Sequence, residues 1–307
     1  MSEEGPRPLY WLPIILTTVG ALGIWVGSNL FGTSNNNSKE LQKLEQIFQV
    51  LDQQYVDKIN KEEIFEKTIS EMLHKLDPHS NYISAKNLKL LDEQTNAAFG
   101  GIGVRFLLFR DTICVTHVNS LSPASYGGLK RGDRIIAING KSSVGKSITN
   151  EKVMARLKGV PDTEVKVTIY RKGKKLQKTL VRNTIPIATV PAYYMIDKET
   201  GYIQITQFSL PTAQEFHMAA LQLKAKGMKK LLLDLRGNGG GTMESAIQIA
   251  DEFLPSGYLI LSSKGLHSEE KKYRATTEGI LEKTKTVVLI DAQSASASEI
   301  LAGALQD

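Results

Sequence analysis

Six small or acidic residues near the carboxyl end of the chain could do chemistry. Ser294 to Glu299 reads Ser-Ala-Ser-Ala-Ser-Glu and follows an apolar stretch, Thr286–Ile290. This order is typical of a strand that turns into a helix, with Ser298 placed to cap the helix. A serine ahead of a helix N-terminus lies beside backbone N–H groups and the positive end of the helix dipole, which stabilise an alkoxide or an oxyanion. A capping turn without chemistry has the same pattern.

A glycine-rich loop is the second candidate. Gly239–Gly241 follow a largely apolar segment, Lys230–Leu235, and expose N–H groups that can hold a phosphate or an oxyanion. A Walker-type phosphate loop would continue with Lys-Ser/Thr, whereas Thr242 and Met243 follow here. The G-x-G-x-x-G dinucleotide motif also lacks its last glycine. A tight strand-to-helix turn remains the alternative.

The elements around both loops alternate between strand and helix, which predicts a layered α/β core. Both loops follow apolar strands, at the edge where open α/β sheets bind their ligands. The predicted elements are Gly201–Thr206, Ala213–Lys226, Lys230–Leu235, Met243–Phe253, Leu259–Ser262, Thr286–Ile290 and Glu299–Gln306.

A middle segment of short strands and turns resembles PDZ domains. Ser122–Gly140 contains a small helix ending in Gly-Leu, then Gly-Asp, a strand and an Asn-Gly turn. Upstream, Gly101, Ile102, Gly103 and Val104 resemble the loop that binds a terminal carboxylate. Glycines there let backbone N–H groups converge on the carboxylate, and the next strand pairs with the peptide. A PDZ-like fold without a ligand remains an alternative.

The amino-terminal third of the chain predicts a membrane anchor followed by helices. Leu12–Phe31 is uncharged and long enough to span a bilayer as an uncleaved helix, and 32–37 reads as a polar linker. Apolar residues then recur at helical spacing over Ser38–Leu76, which predicts two helices that end at the Asp-Pro-His-Ser segment starting at Asp77.

The composition is that of a globular protein and argues against a nucleic-acid partner. The 307 residues, 41% hydrophobic and 23% charged, suffice for two domains with a real core. The net charge is +6, but the basic residues fall in short scattered groups typical of solvated turns, so no nucleic-acid partner is predicted. The single cysteine, Cys114, is interpreted as a buried small apolar residue.

Four motifs together resemble the carboxyl-terminal processing peptidases, also called tail-specific proteases. They are Asp77–Tyr82, the PDZ-like stretch, Asp234–Gly241 and Ser294–Ile300. The resemblance covers about residues 38 to 307. It implies a serine endopeptidase that selects protein substrates by their free C-termini.

The resemblance also implies roles for individual residues. Ser296 would be the nucleophile, and the N–H groups of Ala297, Gly240 and Gly241 would form the oxyanion hole. Glu299 matches an acid that supports the site in this family.

The family's general base is a lysine about 25 residues after the nucleophile, with a pKa lowered by desolvation. The chain reaches only Asp307, 11 residues past Ser296, and its histidines lie in no triad motif. We therefore expect a truncated gene or an incomplete record, and a chain that binds peptides but cleaves them poorly. The alternative is a non-catalytic PDZ-bearing peptide-binding protein of the cell envelope.

These interpretations predict an α/β protein: a layered protease core with N-terminal helices and an inserted PDZ domain, preceded by one transmembrane helix. We expect no cofactor or metal, possible oligomerisation, and a single-pass protein of the inner membrane with its catalytic part on the periplasmic or extracytoplasmic side. The predicted segments are a tail at 1–11, the anchor at 12–31, a linker at 32–37, helices at 38–98, a PDZ domain at 99–182 and a peptidase core at 183–307.

Overall fold

The structure is a computed structural model that describes Thr17 and residues 39–77, 80–276 and 278–307. It divides into two compact units, 1–84 and 85–307. Apart from Thr17, the predicted anchor Leu12–Phe31 lies outside the described residues, as does the linker. Within the described ranges, no helix has the length and apolar character needed to cross a membrane.

The amino-terminal unit contains the two predicted helices, α1 (Lys39–Gln54) and α2 (Lys61–His74). Asn60 caps α2, because its side-chain oxygen accepts a hydrogen bond from the backbone N–H of Glu63 at 3.3 Å. The rings of Phe48 and Phe65 meet edge to face, with centroids 5.8 Å apart. The second helix ends before Asp77, as predicted, while residues 78–79 lie outside the described ranges.

The larger unit opens with a helix that the sequence interpretation did not separate from its surroundings, α3 (Ala85–Thr95). Its last carbonyls accept hydrogen bonds from a distant segment. The hydroxyl of Ser209 donates to Gln94 O at 2.5 Å, and the N–H of Leu210 donates to Thr95 O at 2.9 Å. These contacts satisfy carbonyls that a helix end otherwise leaves unpaired, and they are invisible in local sequence.

The PDZ-like region is a six-stranded sheet of order β2-β3-β4-β6-β7, with β5 on the side of β4. Alternate strand residues such as Ile113, Ile135 and Ile169 are fully buried beneath the two helices. A separate pair, β1 with β8, closes the region. The elements are β1 (Ala98–Gly101), β2 (Val104–Phe109), β3 (Thr112–Val118), α4 (Pro123–Tyr126), β4 (Arg134–Ile138), β5 (Lys141–Ser142), α5 (Asn150–Leu157), β6 (Glu164–Arg171), β7 (Lys174–Val181) and β8 (Asn183–Pro186).

The carboxyl-terminal region is the predicted layered α/β core. Its four-stranded sheet has the order β14-β11-β10-β9, with β10, β11 and β14 parallel and β9 antiparallel. Buried residues of the strands, such as Ile203 and Leu233, share one apolar cluster with helix residues such as Phe216 and Ile249. The elements are β9 (Ala192–Met195), β10 (Thr200–Gln204), α6 (Thr212–Ala225), β11 (Lys230–Asp234), α7 (Met243–Asp251), β12 (Leu259–Gly265), β13 (Ser268–Arg274), β14 (Lys285–Leu289) and α8 (Ala297–Gln306).

Two local predictions differ from the structure. Helix α8 begins at Ala297, so Ser298 is not its cap; the Ser298 hydroxyl instead donates to the backbone oxygen of Asn238 at 2.8 Å. Cys114 is only partly buried, because it points away from the core of the PDZ sheet. In both cases long-range packing decided the environment of the side chain.

Candidate active site

Two neighbouring parallel strands bring the predicted loops together. Strands β11 and β14 pair in register, with Asp234 opposite Leu289. The N–H of Leu235 extends this pairing by donating to Leu289 O at 2.9 Å. Because parallel strands end at the same edge of a sheet, the glycine loop and the serine loop start side by side.

Gly240 is where the two loops touch. A methyl group on its Cα would lie 2.8 Å from Ser296 Cβ, 2.7 Å from Ala295 O and 3.0 Å from Ala297 N. Its φ of 100° also falls in the region that favours glycine. Only a residue without a side chain allows this approach, which the sequence could not show.

Ser296 has a strained backbone at the start of α8. Its φ of 55° and ψ of −113° are rare for a residue with a side chain, and such a conformation costs on the order of 1–3 kcal/mol. The Glu299 side chain accepts a hydrogen bond from the Ser296 N–H at 2.7 Å, and the Ile300 N–H donates to Ser296 O at 3.0 Å. The serine itself is exposed. The site therefore holds an accessible hydroxyl on a restrained turn.

Asn238 joins the two loops, a role that the sequence interpretation missed. The buried Asn238 side chain donates to Ile205 O at 3.0 Å and accepts from the Gly240 N–H at 2.9 Å. Its backbone oxygen accepts from the Ala295 N–H at 3.2 Å and from the Ser298 hydroxyl. The sequence signal for this role was an asparagine that stands between two glycines soon after an apolar strand.

The hydrogen bond to Asn238 bears on the predicted oxyanion hole. Because the Gly240 N–H donates to Asn238 Oδ1, it is not free to bind an oxyanion. Within the described residues, the N–H groups of Gly241 and Ala297 have no hydrogen-bond partner. Gly240 thus allows the two loops to approach each other closely, while the N–H groups of Gly241 and Ala297 remain unpaired within the described residues.

Asp291 fastens the serine loop to the glycine loop. Its carboxylate oxygens accept from the Gly237 N–H at 3.0 and 3.1 Å. This hydrogen bond, together with that from the Gln293 N–H, lowers the pKa of Asp291. The carboxylate is therefore held in its charged form.

A buried carboxylate stiffens the start of the glycine loop. Asp234 is 2% exposed and receives two hydrogen bonds from the Arg236 guanidinium at 2.9 and 2.7 Å, and one from the Tyr202 hydroxyl at 2.8 Å. The bond from Arg236 is the main cause that lowers the pKa of Asp234 to about 2. Burial, then the bond to Asp234, raises the pKa of Tyr202 to about 12. Both groups therefore keep one protonation state near neutral pH.

An open cleft of about 480 Å³ adjoins the glycine loop. Its walls come from α3, from the segment after β10 and from Gly239–Gly241, and none of the described residues that line it carries a charge. Across the described residues, no cluster of three His, Cys, Asp or Glu could hold a metal ion.

The predicted peptide-binding residues lie along a second, smaller groove. Gly101 ends β1, Val104 begins β2, and Gly103 has a φ of 76°. Gly101–Val104 line a cavity of about 100 Å³ with Phe106 of β2 and with Met154 and Leu157 of α5. Strand β2 is the edge of its sheet, so its outer N–H and C=O groups can pair with an added strand.

Family models match most of the chain. Residues 199–307 match peptidase family S41, residues 100–180 match the PDZ domain, and residues 26–87 match the activating protease CtpB N-terminal domain.

Individual proteins are similar over almost the whole chain. The carboxy-terminal processing protease CtpA of Bacillus subtilis (strain 168) is 34% identical over 97% of this chain and 65% of its own length. The carboxy-terminal-processing protease of Bartonella bacilliformis is 33% identical over 90% of this chain and 64% of its own length. The chain thus spans slightly less than two thirds of these relatives.

Among solved structures, the photosystem II D1 C-terminal processing protease is 24% identical over 89% of this chain and 73% of that chain, with a TM-score of 0.40. The family matches and the curated relatives agree with the motifs and the α/β fold described above. The chain belongs to the carboxy-terminal processing proteases, within peptidase family S41, and carries their PDZ domain.

Proposed function

We propose that this protein is a serine endopeptidase with Ser296 as its nucleophile. The observation that carries the proposal is the strained, exposed Ser296 at the N-terminus of α8, in contact with Gly240. Strain of this kind persists only where the surrounding structure holds it, and it is common at reactive residues. The family supports the same reaction class.

The oxyanion of the tetrahedral intermediate would bind to the N–H groups of Gly241 and Ala297. Ala297 follows Ser296 in the chain, and Gly241 follows Gly240, which packs against Ser296. Neither N–H group has a partner within the described residues. The positive end of the α8 dipole adds to the stabilisation. Gly240 would leave room for the substrate carbonyl, and Glu299 would keep the Ser296 backbone in place.

The proton acceptor in this proposal is a lysine, as in the family. Ser296 Oγ would attack the scissile carbonyl carbon and pass its proton to the lysine amine, which would then protonate the leaving amine. In the family pattern this lysine follows the nucleophile by about 25 residues, which is beyond Asp307.

The PDZ groove would capture the substrate's carboxyl terminus. Backbone N–H groups of Gly101–Val104 would bind the terminal carboxylate, and the tail would pair with the free edge of β2. The apolar wall of Phe106, Met154 and Leu157 would take the last side chain. An anchor at 12–31 would hold the protein on the inner membrane, with its catalytic part on the periplasmic or extracytoplasmic side.

Two measurements on one peptide test these steps separately. Binding to the 307-residue chain is compared for a free and an amidated carboxyl terminus; equal affinities would refute tail recognition. Cleavage is measured in a form that includes the family's lysine, with Ser296→Ala as control. We expect cleavage only with Ser296. If the free tail binds but no form cleaves, the protein is the non-catalytic peptide binder.

A further inference from the structure

The outer face of the PDZ sheet forms an ordered surface across five strands. The inner cross-strand row belongs to the core and consists of Leu108, Ile113, Ile135, Ile169 and Leu176. Successive strand residues point to opposite faces, so the adjacent row must point outward. That outer row consists of Leu107, Cys114, Arg134, Tyr170 and Lys175.

This outer face is strongly basic. Arg105, Arg134, Lys166 and Lys175 lie on it, against one acidic strand residue, Glu164. In the part of the chain that the structure describes, none of the four basic side chains forms an ion pair. In sequence these residues look scattered, and only the strand register brings them to one surface.

Exposed apolar side chains lie among these charges. Leu107 is 47% exposed, Phe109 48% and Tyr170 41%. At the end of the face, the Arg110 guanidinium lies over the Phe109 ring, 5.2 Å from its centroid. Basic groups mixed with aromatic and aliphatic groups suit the boundary between water and lipid headgroups.

We propose that this outer face, carried by Arg134, Lys166 and Lys175, binds the surface of an anionic lipid bilayer. Its charge is complementary to acidic headgroups, and Leu107 and Phe109 offer apolar side chains that a nucleic acid backbone would not use. The peptide groove between β2 and α5 uses residues of the opposite face, so it stays open on the membrane. The apolar segment predicted at 12–31 would hold the protein at a bilayer independently of this surface.

The test uses the full chain and sedimentation with vesicles. One set contains phosphatidylcholine alone, and the other adds about 30% phosphatidylglycerol. The variant Arg134→Glu/Lys166→Glu/Lys175→Glu reverses the charge at three positions of the face. The control Lys264→Glu/Lys271→Glu/Lys283→Glu changes the net charge equally at exposed residues outside it.

We expect the anionic lipid to tighten binding of the wild type and the control by at least about tenfold, an increase that the face variant loses. On neutral vesicles all three proteins should bind alike. With Trp11 and Trp25 both replaced by phenylalanine, emission of Phe109→Trp should shift to the blue only with anionic vesicles. Equal binding of the face variant and the control would overturn the proposal, as would equally tight, face-dependent binding of single-stranded RNA. Unchanged thermal melting and tail-peptide binding verify that the face variant is folded.

Discussion

Gly240 and Ser296 lie so close that a methyl group on the glycine would be 2.8 Å from the serine Cβ. This contact joins two loops that are more than fifty residues apart in the chain and makes one site of them. It also gives Gly240 a steric role that Gly239 lacks, because no atom lies within 4 Å of a methyl group added at Gly239.

Replacing Gly240 should therefore separate the loops. Gly240→Ala meets Ala295 O and Ser296 Cβ and adds an unfavourable φ, so we expect a loss of about 1–3 kcal/mol of stability. Urea unfolding would measure this loss. Peptide cleavage in the form that includes the lysine should fall at least about a hundredfold.

Gly239→Ala is the matched control, because no atom lies within 4 Å of the added methyl group. It should stay close to wild type in stability. Equal destabilisation by the two substitutions would contradict the contact with Ser296.

Glu299 should act by positioning Ser296. Glu299→Ala removes the acceptor of the Ser296 N–H and should cost about 1 kcal/mol of stability, with a lower kcat and a nearly unchanged KM. Glu299→Gln keeps an acceptor oxygen and should restore most of the stability and most of the kcat. A glutamine variant as inactive as the alanine variant would indicate a role for the charge itself.

The Asp234 carboxylate predicts a specific acid dependence of stability. Because its pKa is lowered to about 2 in the folded protein, its contribution is complete above its ordinary pKa near 4 and is lost as the pH falls through about 2. We expect Asp234→Asn to lower the free energy of unfolding by about 2 kcal/mol at pH 7.

Urea unfolding of the Asp234→Asn variant and the wild type between pH 2 and 7 would measure this dependence. The difference should shrink only below about pH 4. A difference that is constant down to pH 2 would show that the ion pair with Arg236 does not stabilise the fold.

Arg182 should hold the helix that walls the peptide groove. It is 8% exposed, and its guanidinium donates to Arg156 O and Leu157 O, the last carbonyls of α5, at 3.0 Å each. Arg182→Met leaves these buried acceptors unpaired and should cost about 3 kcal/mol, with weaker binding of a tail peptide.

Arg182→Lys should restore little of the stability or of the peptide binding, because one ammonium group cannot donate to the same acceptors as the planar guanidinium group. Thermal melting and peptide titration would measure both. Full rescue by lysine would mean that only the positive charge matters at this position.

The sequence by itself determined most of the element types and the positions of the two candidate loops. Periodicity indicated the helices and strands of the α/β core, and glycines marked loops where the backbone must lie open. Motif order identified the family, because several short patterns in a fixed order are specific where each alone is not. These are local properties, and local sequence encodes them.

Only the tertiary structure decided which groups meet. The approach of Gly240 to Ser296, the bridge through Asn238 and the capture of the Gly240 N–H all join segments distant in the chain. The basic face of the PDZ sheet likewise depends on strand register, which places Arg134 beside Tyr170. Such contacts depend on how the elements pack against each other, and the linear sequence pattern does not encode that packing directly.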